Sequence, residues 1–452
     1  MAEFLFSDEQ AQLRSAVRKF SADNAGEQAA RAVMESDPPF DAAVWRRLGA
    51  ELGVLGLSVP EADGGAGGTL VDQAIAVEEL GAALACGPLV GTVYLAIPAL
   101  VAASASGELL ADLVEGTRTA AFAVPDRAGV FDPALVTVTA SDGALTGSVP
   151  RVVDGSAADV LLVAATGPDG LGLYVVDAAA PGVARTALGT LDLTRPQAAI
   201  EFSSAPATLV AGPDEADRVI THALQVGAAL LAAEQVGAAQ HLLDLAVDYA
   251  KTRLQFGRPI GSFQAVKHKL ADMLVDLEHA RSAAYHAAWA LTDGTDDPAV
   301  ATSIAQAVAS AAFSRIARDT IPVAQAADQR QREWPEDAAH QHAVAFADAY
   351  QGLLGLAVVV ALSTAATGLF PANDGTFVHW TAVLPGFVAR HAVLVLMAIQ
   401  FWKHSNWIAV WSGLCAATGI VGAVLLLGRT LTFGLGERLT LYPLPMWMAV
   451  TG

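Results

Sequence analysis

The chain has 452 residues, with 46 acidic and 26 basic side chains and a formal net charge of −20. Hydrophobic residues make up 54% of it and charged residues only 16%, whereas about 25% is usual. This composition excludes an intrinsically disordered chain and a small disulfide-stabilised secreted domain, and the acidic balance excludes a general nucleic-acid-binding protein. The two cysteines, Cys86 and Cys415, have no metal-binding or redox spacing, so we expect no metal site.

Residues 1–115 are predicted to form an N-terminal helical domain. Apolar residues recur at three- and four-residue spacing over 7–24, 41–52 and 69–85, which predicts three amphipathic helices. Ser7, followed three residues later by Gln10, predicts a capping box at the first of them. The glycine-rich segment VPEADGGAGG lacks the lysine and the preceding strand of a phosphate-binding loop, so we interpret it as a flexible turn.

Residues 116–212 change in character. Short runs of β-branched and apolar residues alternate with turn sequences such as SDGA and TGPDG, which predicts a β domain, an antiparallel barrel or sandwich. Helical periodicity returns in a partial C-terminal helical domain, 213–320, with Ser262 as a helix N-cap. The fold class is therefore α+β, with a helical domain, a β-barrel-like domain and a partial helical bundle. Long helices are predicted over 217–252, 262–292 and 297–319.

The C-terminal part is nearly uncharged. Residues 1–340 carry 22 basic and 43 acidic side chains, and the remainder carries four and three. The uncharged runs 352–370 and 406–428 are each long enough to cross a hydrocarbon core of about 30 Å, and 381–402 is a weaker candidate. Buried helices of a soluble core are the alternative. Five of the eight tryptophans lie in this tail, mostly near the ends of the spans, which favours a membrane.

We therefore expect 351–452 to form a membrane segment of about three transmembrane α-helices, joined to the body by a linker at 321–350. The body would then lie in the cytoplasm and the tail in the cytoplasmic membrane.

The segment YAKTRLQFGRPIGSFQAVKHKLADM, residues 249–273, is the most informative part of the chain. A helix is predicted to end before Arg253, and a Gly/Pro loop leads to the next helix. The guanidinium of Arg253 and the amide of Gln255 at such a break suit a pyrophosphate group. The alternative is a plain helical hairpin whose arginine points into solvent.

Together with VPEADGG and VDQAIAVEELG upstream, this segment resembles the acyl-CoA dehydrogenase family, and the resemblance extends over about 4–320. It implies FAD-dependent α,β-dehydrogenation of an acyl-CoA thioester, a reaction of lipid metabolism. Arg253, Phe256 and Gln264 fall on cofactor-contacting positions of the family motif, and Gln255 lies beside them. Such contacts commonly cross a subunit interface, which implies a homo-oligomer or a hetero-oligomer with another dehydrogenase subunit. The string LTGSVPRVVDGSAADVLLVAA resembles divergent actinobacterial members that act on steroid side chains or unusual acyl chains.

Three departures from the family pattern leave the catalytic residue unassigned. VPDRAG replaces the flavin-contacting TEPxxGSD run, residues 150–153 lack the family's Trp, and no QxxGGxG turn follows SRIARD. An alternative base position of the family falls on Gly227, which carries no carboxylate. Glu234 lies two helical turns further on, and we interpret it as a structural, solvated residue.

The tail resembles uncharacterised multi-span bacterial membrane proteins. A fusion of two genes is therefore one explanation of the chain. Three functions remain open: an acyl-CoA dehydrogenase completed by a partner, a non-catalytic membrane-anchored flavin-binding or structural subunit, and a degenerate fusion.

Overall fold

The computed structural model describes residues 6–325, apart from residues 106, 128–129, 256 and 295. The first part of it is helical. Helix α1 begins after Ser7, whose side chain accepts a hydrogen bond from the backbone N–H of Gln10 while the Gln10 side chain accepts one from the Ser7 N–H, so the predicted capping box is confirmed. A π-helix at Leu89–Ala96 precedes α5 and was not predicted. The α-helices here are α1 (Asp8–Asn24), α2 (Glu27–Val33), α3 (Ala42–Ala50), α4 (Leu70–Ala82), α5 (Ile97–Ala102) and α6 (Glu108–Glu115).

The glycine-rich segment before α4 is more tightly held than a flexible turn. A Cβ at Gly65 would lie 2.2 Å from the carbonyl oxygen of Val59, so only glycine allows the two backbones to approach this closely. The backbone N–H of Gly67 also donates to Val59 O at 2.9 Å. Packing, rather than flexibility, therefore accounts for these glycines.

The β domain is one eight-stranded sheet in the order β10-β7-β6-β4-β5-β9-β8, with β1 beside β6. Most neighbouring strands are antiparallel, but β1 and β4 both pair with β6 in parallel. The prediction of a purely antiparallel domain was therefore wrong. Strands β2 and β3 form a separate hairpin, and the other eight form this sheet. The strands are β1 (Ala120–Ala123), β2 (Asp126–Arg127), β3 (Val130–Phe131), β4 (Thr139–Ser141), β5 (Ala144–Val153), β6 (Val160–Gly167), β7 (Gly170–Asp177), β8 (Val183–Leu188), β9 (Gln197–Pro206) and β10 (Thr208–Ala211).

Three long helices follow the sheet: α7 (Ala216–Thr252), α8 (Gln264–Asp293) and α9 (Pro298–Gln325). They bury a common seam rich in alanine, which lets the helices approach closely. The N-terminal half of α7 also packs against the π-helix and α4, so α7 contacts both the N-terminal domain and the bundle.

Among the described residues, two helices are long and apolar enough to cross a bilayer, Ala216–Thr252 and Pro298–Ile321. Both belong to the bundle just described, and a core helix of a soluble protein has the same length and composition. They are therefore weak evidence for a membrane. The spans predicted at 352–370, 381–402 and 406–428 lie outside the described residues.

Candidate functional site

The predicted cofactor residues lie on the hairpin that joins α7 to α8. Arg253 is the C-cap of α7, and its carbonyl accepts a hydrogen bond of 2.8 Å from the backbone N–H of Ile260. Two short strands, β11 (Leu254–Gln255) and β12 (Arg258–Pro259), pair between these residues. The predicted loop is therefore an ordered hairpin that fixes the backbone on either side of Arg253.

Two polar groups of this hairpin, Nε of Arg253 and Oγ of Ser262, are buried and have no hydrogen-bond partner among the described residues. Ser262 was predicted to cap α8, but the helix begins at Gln264 and receives no side-chain cap, so that expectation was wrong. Buried donors are normally paired, and an unpaired one indicates a missing ligand or water. The hairpin thus holds a guanidinium N–H and a hydroxyl whose hydrogen-bonding capacity is unused within the described part of the chain.

Two of the other predicted cofactor residues lie on β11 and at the start of α8. Gln255 is half-buried on β11, and Gln264 is exposed in the first turn of α8, whereas Phe256 lies outside the described residues. The guanidinium of Arg258 stacks on the ring of Phe263, 4.1 Å from its centroid, which engages this second cation within the hairpin. Arginine and amide donors with a free hydroxyl suit the diphosphate of a dinucleotide cofactor.

A cleft of about 510 Å³ lies near the other end of α7, and we call it the α7–α9 cleft. Its volume is within the range of small-molecule sites. Strand β3, the first half of α7 and the first half of α9 line it, and none of the described residues in its lining is acidic; these residues are Val130, Phe131, Thr221, Leu224, Gln225, Ala228, Ala299, Thr302, Ser303, Gln306, Ala307 and Ser310. Sequence periodicity did not reveal this cleft, because its walls come from three separate segments.

Gly227, the position where the family's alternative base would fall, faces away from the lining of this cleft. A Cβ at Gly227 would lie 2.6 Å from Cδ2 of Leu95 and 3.5 Å from the carbonyl oxygen of Tyr94. A side chain at this position would therefore enter the contact between α7 and the π-helix. Ala228, the next residue, lines the cleft instead.

Glu234 is largely shielded from solvent and paired, so the interpretation of it as a solvated residue was wrong. Its carboxylate forms an ion pair with Arg195, which precedes β9, and accepts a hydrogen bond of 2.6 Å from the Tyr94 hydroxyl. Only 14% of the Glu234 side chain is exposed. We call Tyr94, Arg195 and Glu234 the interdomain cluster, since they come from the π-helix, the segment between β8 and β9, and α7.

Asp154 extends this charged region into the turn after β5. Its carboxylate accepts a hydrogen bond of 2.8 Å from the backbone N–H of Gly91. Burial nevertheless raises the pKa of Asp154 to about 6, the Gly91 hydrogen bond and Arg195 opposing that effect. Burial also raises the pKa of Tyr94 well above its ordinary value, and the negative charge of Glu234 adds to the increase. No sequence motif predicted this cluster, because its members are brought together only by the fold.

Comparison with known proteins agrees with this architecture. Residues 7–117 match the family described as acyl-CoA dehydrogenase, N-terminal domain, and residues 218–335 match its C-terminal domain. The chain is 38% identical over 275 residues to acyl-CoA dehydrogenase IpdE2 of Mycobacterium tuberculosis, an alignment that covers 61% of this chain and 74% of that protein.

Solved structures are similar over most of the chain. A variant of the Tcur3481-Tcur3483 steroid ACAD has 30% identity and a TM-score of 0.62, covering 74% of this chain and 89% of that one. The ChsE4-ChsE5 complex from Mycobacterium tuberculosis has 29% identity and a TM-score of 0.63, covering 71% and 87%. The two family matches flank the β-sheet segment.

Proposed function

Because this chain belongs to the acyl-CoA dehydrogenase family, we propose that it is a subunit of an enzyme that introduces a double bond between the α and β carbons of an acyl-CoA thioester. FAD is the cofactor of this family and supplies the acceptor for the hydride that leaves the β-carbon. One similar structure is described as a steroid ACAD, which supports a steroid side chain or another unusual acyl chain as the acyl group.

The separation of two regions along α7 supports a site shared between subunits. Arg253 lies 25 residues beyond Ala228, which corresponds to roughly 38 Å along a continuous helix. One dinucleotide cofactor cannot bridge that distance. The hairpin of this chain therefore serves a cleft on a second subunit, and the similar ChsE4-ChsE5 structure is described as a complex.

The second subunit also supplies the base that removes the α-proton. Within the described part of the chain, the lining of the α7–α9 cleft has no acidic side chain, and Glu234 is held in an ion pair with Arg195. This chain contributes Arg253 and Ser262 to the cofactor, together with Gln255 and Gln264, and the family resemblance adds Phe256. A non-catalytic flavin-binding or structural subunit is the second candidate. The absence of acidic side chains among the described residues that line the cleft favours it as well.

The uncharged runs of the tail support a further element of the proposal. Residues 351–452 would anchor the subunit in the cytoplasmic membrane and leave the helical and β domains in the cytoplasm. Fractionation of cells, followed by a comparison of carbonate extraction with detergent extraction, tests this anchor. Release of the full-length chain by carbonate alone would contradict it.

A flavin spectrum of the purified full-length chain tests the catalytic proposal. The chain alone should bind FAD weakly and should keep the absorbance of the oxidised flavin when acyl-CoA is added, because the base comes from the second subunit. The same chain purified with a second dehydrogenase subunit from its own host should lose that absorbance. Bleaching by the chain alone would overturn the shared site, while FAD binding without bleaching in the complex would favour the non-catalytic subunit. No FAD binding in either preparation would favour a degenerate fusion.

Two arginines of the hairpin refine the test. Arg253→Ala should raise the dissociation constant of FAD about 10- to 100-fold in the complex, since a hydrogen bond from a charged group contributes roughly 1.5–3 kcal/mol. Arg258→Ala is the matched control, because that guanidinium is engaged by Phe263, and it should change FAD affinity much less. Equal effects of the two variants would contradict the assigned role of Arg253.

A further inference from the structure

The α7–α9 cleft has two helical walls that face each other. Short connections join α7 to α8 and α8 to α9, so α7 and α9 run in the same direction. At one end of the cleft, Oγ of Ser310 donates to Oε1 of Gln235 at 3.3 Å and joins the two walls. Thr221 and Ala228 precede Gln235 at intervals of seven residues. Ser303 likewise precedes Ser310 by seven, so the same two helix faces continue into the cleft.

The lining of the cleft is uncharged. Val130, Phe131 and Leu224 supply an apolar surface, and none of the described residues that line the cleft carries a charge. A phosphate, a carboxylate or an ammonium group would therefore lose its hydration here without gaining a counter-charge. Acyl-CoA and FAD both carry phosphates, so neither molecule can place that part in the cleft. An occupant is consequently uncharged where it contacts these walls.

The polar side chains of the walls limit the occupant further. Oγ of Ser303 donates its proton to the carbonyl oxygen of Ala299 at 2.6 Å, so this exposed hydroxyl can only accept a further hydrogen bond. The amides of Gln225 and Gln306 are partly exposed and have no hydrogen-bond partner within the described part of the chain. Each amide therefore offers both an N–H group and a carbonyl oxygen. A hydroxyl group, which donates and accepts, matches these walls better than a group that only accepts.

We propose that the α7–α9 cleft of this chain is a binding site for an uncharged molecule with an apolar body and hydroxyl groups. The hydroxyl groups donate to Oγ of Ser303 and to the amide oxygens, and they accept from the amide N–H groups of Gln225 and Gln306. The apolar body lies against Phe131 and Leu224. The cleft volume of about 510 Å³ suits a drug-sized molecule. Such binding goes beyond dehydrogenation, because it involves neither the cofactor residues of the hairpin nor a base.

Equilibrium dialysis of the full-length chain with bicyclohexyl-4,4′-diol tests the site, with the same detergent micelles in both chambers. The diol has two apolar rings and a hydroxyl group at each end, and it should bind saturably. The 4,4′-dione has the same skeleton but only accepts hydrogen bonds, so its dissociation constant should be about 2- to 10-fold higher for each hydrogen bond lost. The hydrocarbon bicyclohexyl should bind more weakly still, and bicyclohexyl-4-carboxylate should not bind.

Three variants separate binding in the cleft from partition into micelles. Gln306→Met removes an amide with little change in size and should raise the dissociation constant of the diol about 2- to 10-fold, whereas that of bicyclohexyl should not rise. Gln28→Met is the matched control, because Gln28 is exposed on α2 and does not line the cleft, and it should leave diol binding unchanged. Ala228→Phe fills the cleft and should abolish binding. Far-UV circular dichroism verifies that each variant is folded.

Absence of saturable diol binding, or equal affinity for the diol and bicyclohexyl, would overturn the proposal. Full diol affinity in the folded Gln306→Met or Ala228→Phe chain would also overturn it. FAD affinity, measured on the same preparations, should be the same in all three variants. The dialysis requires neither FAD nor acyl-CoA, so a failure of the proposed dehydrogenation would leave its result unaffected.

Discussion

The interior ion pairs and the α7–α8 hairpin use the same kinds of side chain in opposite ways. In the interior, the carboxylates of Glu78, Glu79 and Glu234 each accept hydrogen bonds from two or more protein groups. In the hairpin, Arg253 and Ser262 each have a buried polar atom that finds no partner in the part of the chain that the structure describes. Buried charges are stable only when they are paired, so the first arrangement holds the fold together and the second is suited to an external ligand.

The most extensive interior arrangement joins α1, α4 and α8. Arg14 contacts Glu78 at 3.0 Å and Glu79 at 2.8 Å, and Arg281 pairs with Glu78 from α8. The Tyr285 hydroxyl also donates to Glu78, and its pKa is raised by burial and by the negative charge of that glutamate. Only 4% of the Glu78 side chain is exposed, so its charge depends on these partners.

Removing the charge of Glu78 should give the largest effect on stability. Glu78→Gln removes one of the two carboxylates that pair with Arg14 and leaves Arg281 with only the exposed Glu278 as a counter-charge. Breaking a buried ion pair costs about 3–5 kcal/mol. Urea denaturation followed by circular dichroism measures the free energy of unfolding. FAD affinity should remain unchanged in the protein that is still folded.

Glu278→Gln is the matched control, because it removes a second carboxylate from the same Arg281. Glu278 lies 3.4 Å from Arg281, but 54% of its side chain is exposed, and an exposed pair contributes about 0–1 kcal/mol. If the two variants lost equal stability, the distinction between buried and exposed pairs in this molecule would be wrong.

A pH series on Asp154 should give an effect of intermediate size. Burial raises the pKa of Asp154 from 3.8 to about 6, so the folded chain binds this proton more tightly than the unfolded chain does. The stabilisation from the proton is present below about pH 4 and is lost as the pH rises through about 6. A shift of this size corresponds to roughly 3 kcal/mol at neutral pH.

Asp154→Asn removes this titration and preserves the local geometry. The backbone at Asp154 has φ of 62°, a left-handed conformation that asparagine tolerates, and the amide oxygen can still accept from Gly91. The variant should therefore be more stable than the parent chain at pH 7.5, and the difference should shrink towards pH 4 in denaturation experiments. A gain in the free energy of unfolding that does not depend on pH would contradict the assignment of the titration to Asp154.

Local sequence patterns predicted the long helices and the break between α7 and α8, whereas long-range packing determined the pairing of strands and the buried ion pairs. The capping box at Ser7 and the break at Arg253 are short-range features, so both could be read from a few residues. The parallel pairing of β4 with β6 depends on contacts between distant strands and could not. Glu234 illustrates the same limit, because its partners Tyr94 and Arg195 are 140 and 39 residues away.

Ser262 does lie just before a helix, as predicted, but it does not cap that helix. A serine just before a helix is a common N-cap, but the 3₁₀ turn Ile260–Ser262 lies before the helix and leaves the hydroxyl free of the helix N–H groups. Pairing of Leu254 with Pro259 determines the course of the chain here. The hydroxyl that sequence assigned to helix capping therefore has no partner among the described residues.

The smallest expected effect tests this reassignment. Ser262→Ala should raise the dissociation constant of FAD about 2- to 10-fold, because one neutral hydrogen bond contributes roughly 0.5–1.5 kcal/mol. It should not lower the free energy of unfolding of the FAD-free chain, since the hydroxyl has no partner there. A helix cap would behave in the reverse manner, with about 1 kcal/mol lost in unfolding and no change in cofactor affinity. Thr252→Ala is the control, because its hydroxyl already donates to the carbonyl of Asp248 at 2.9 Å, and it should leave FAD affinity unchanged when both variants are titrated by flavin fluorescence.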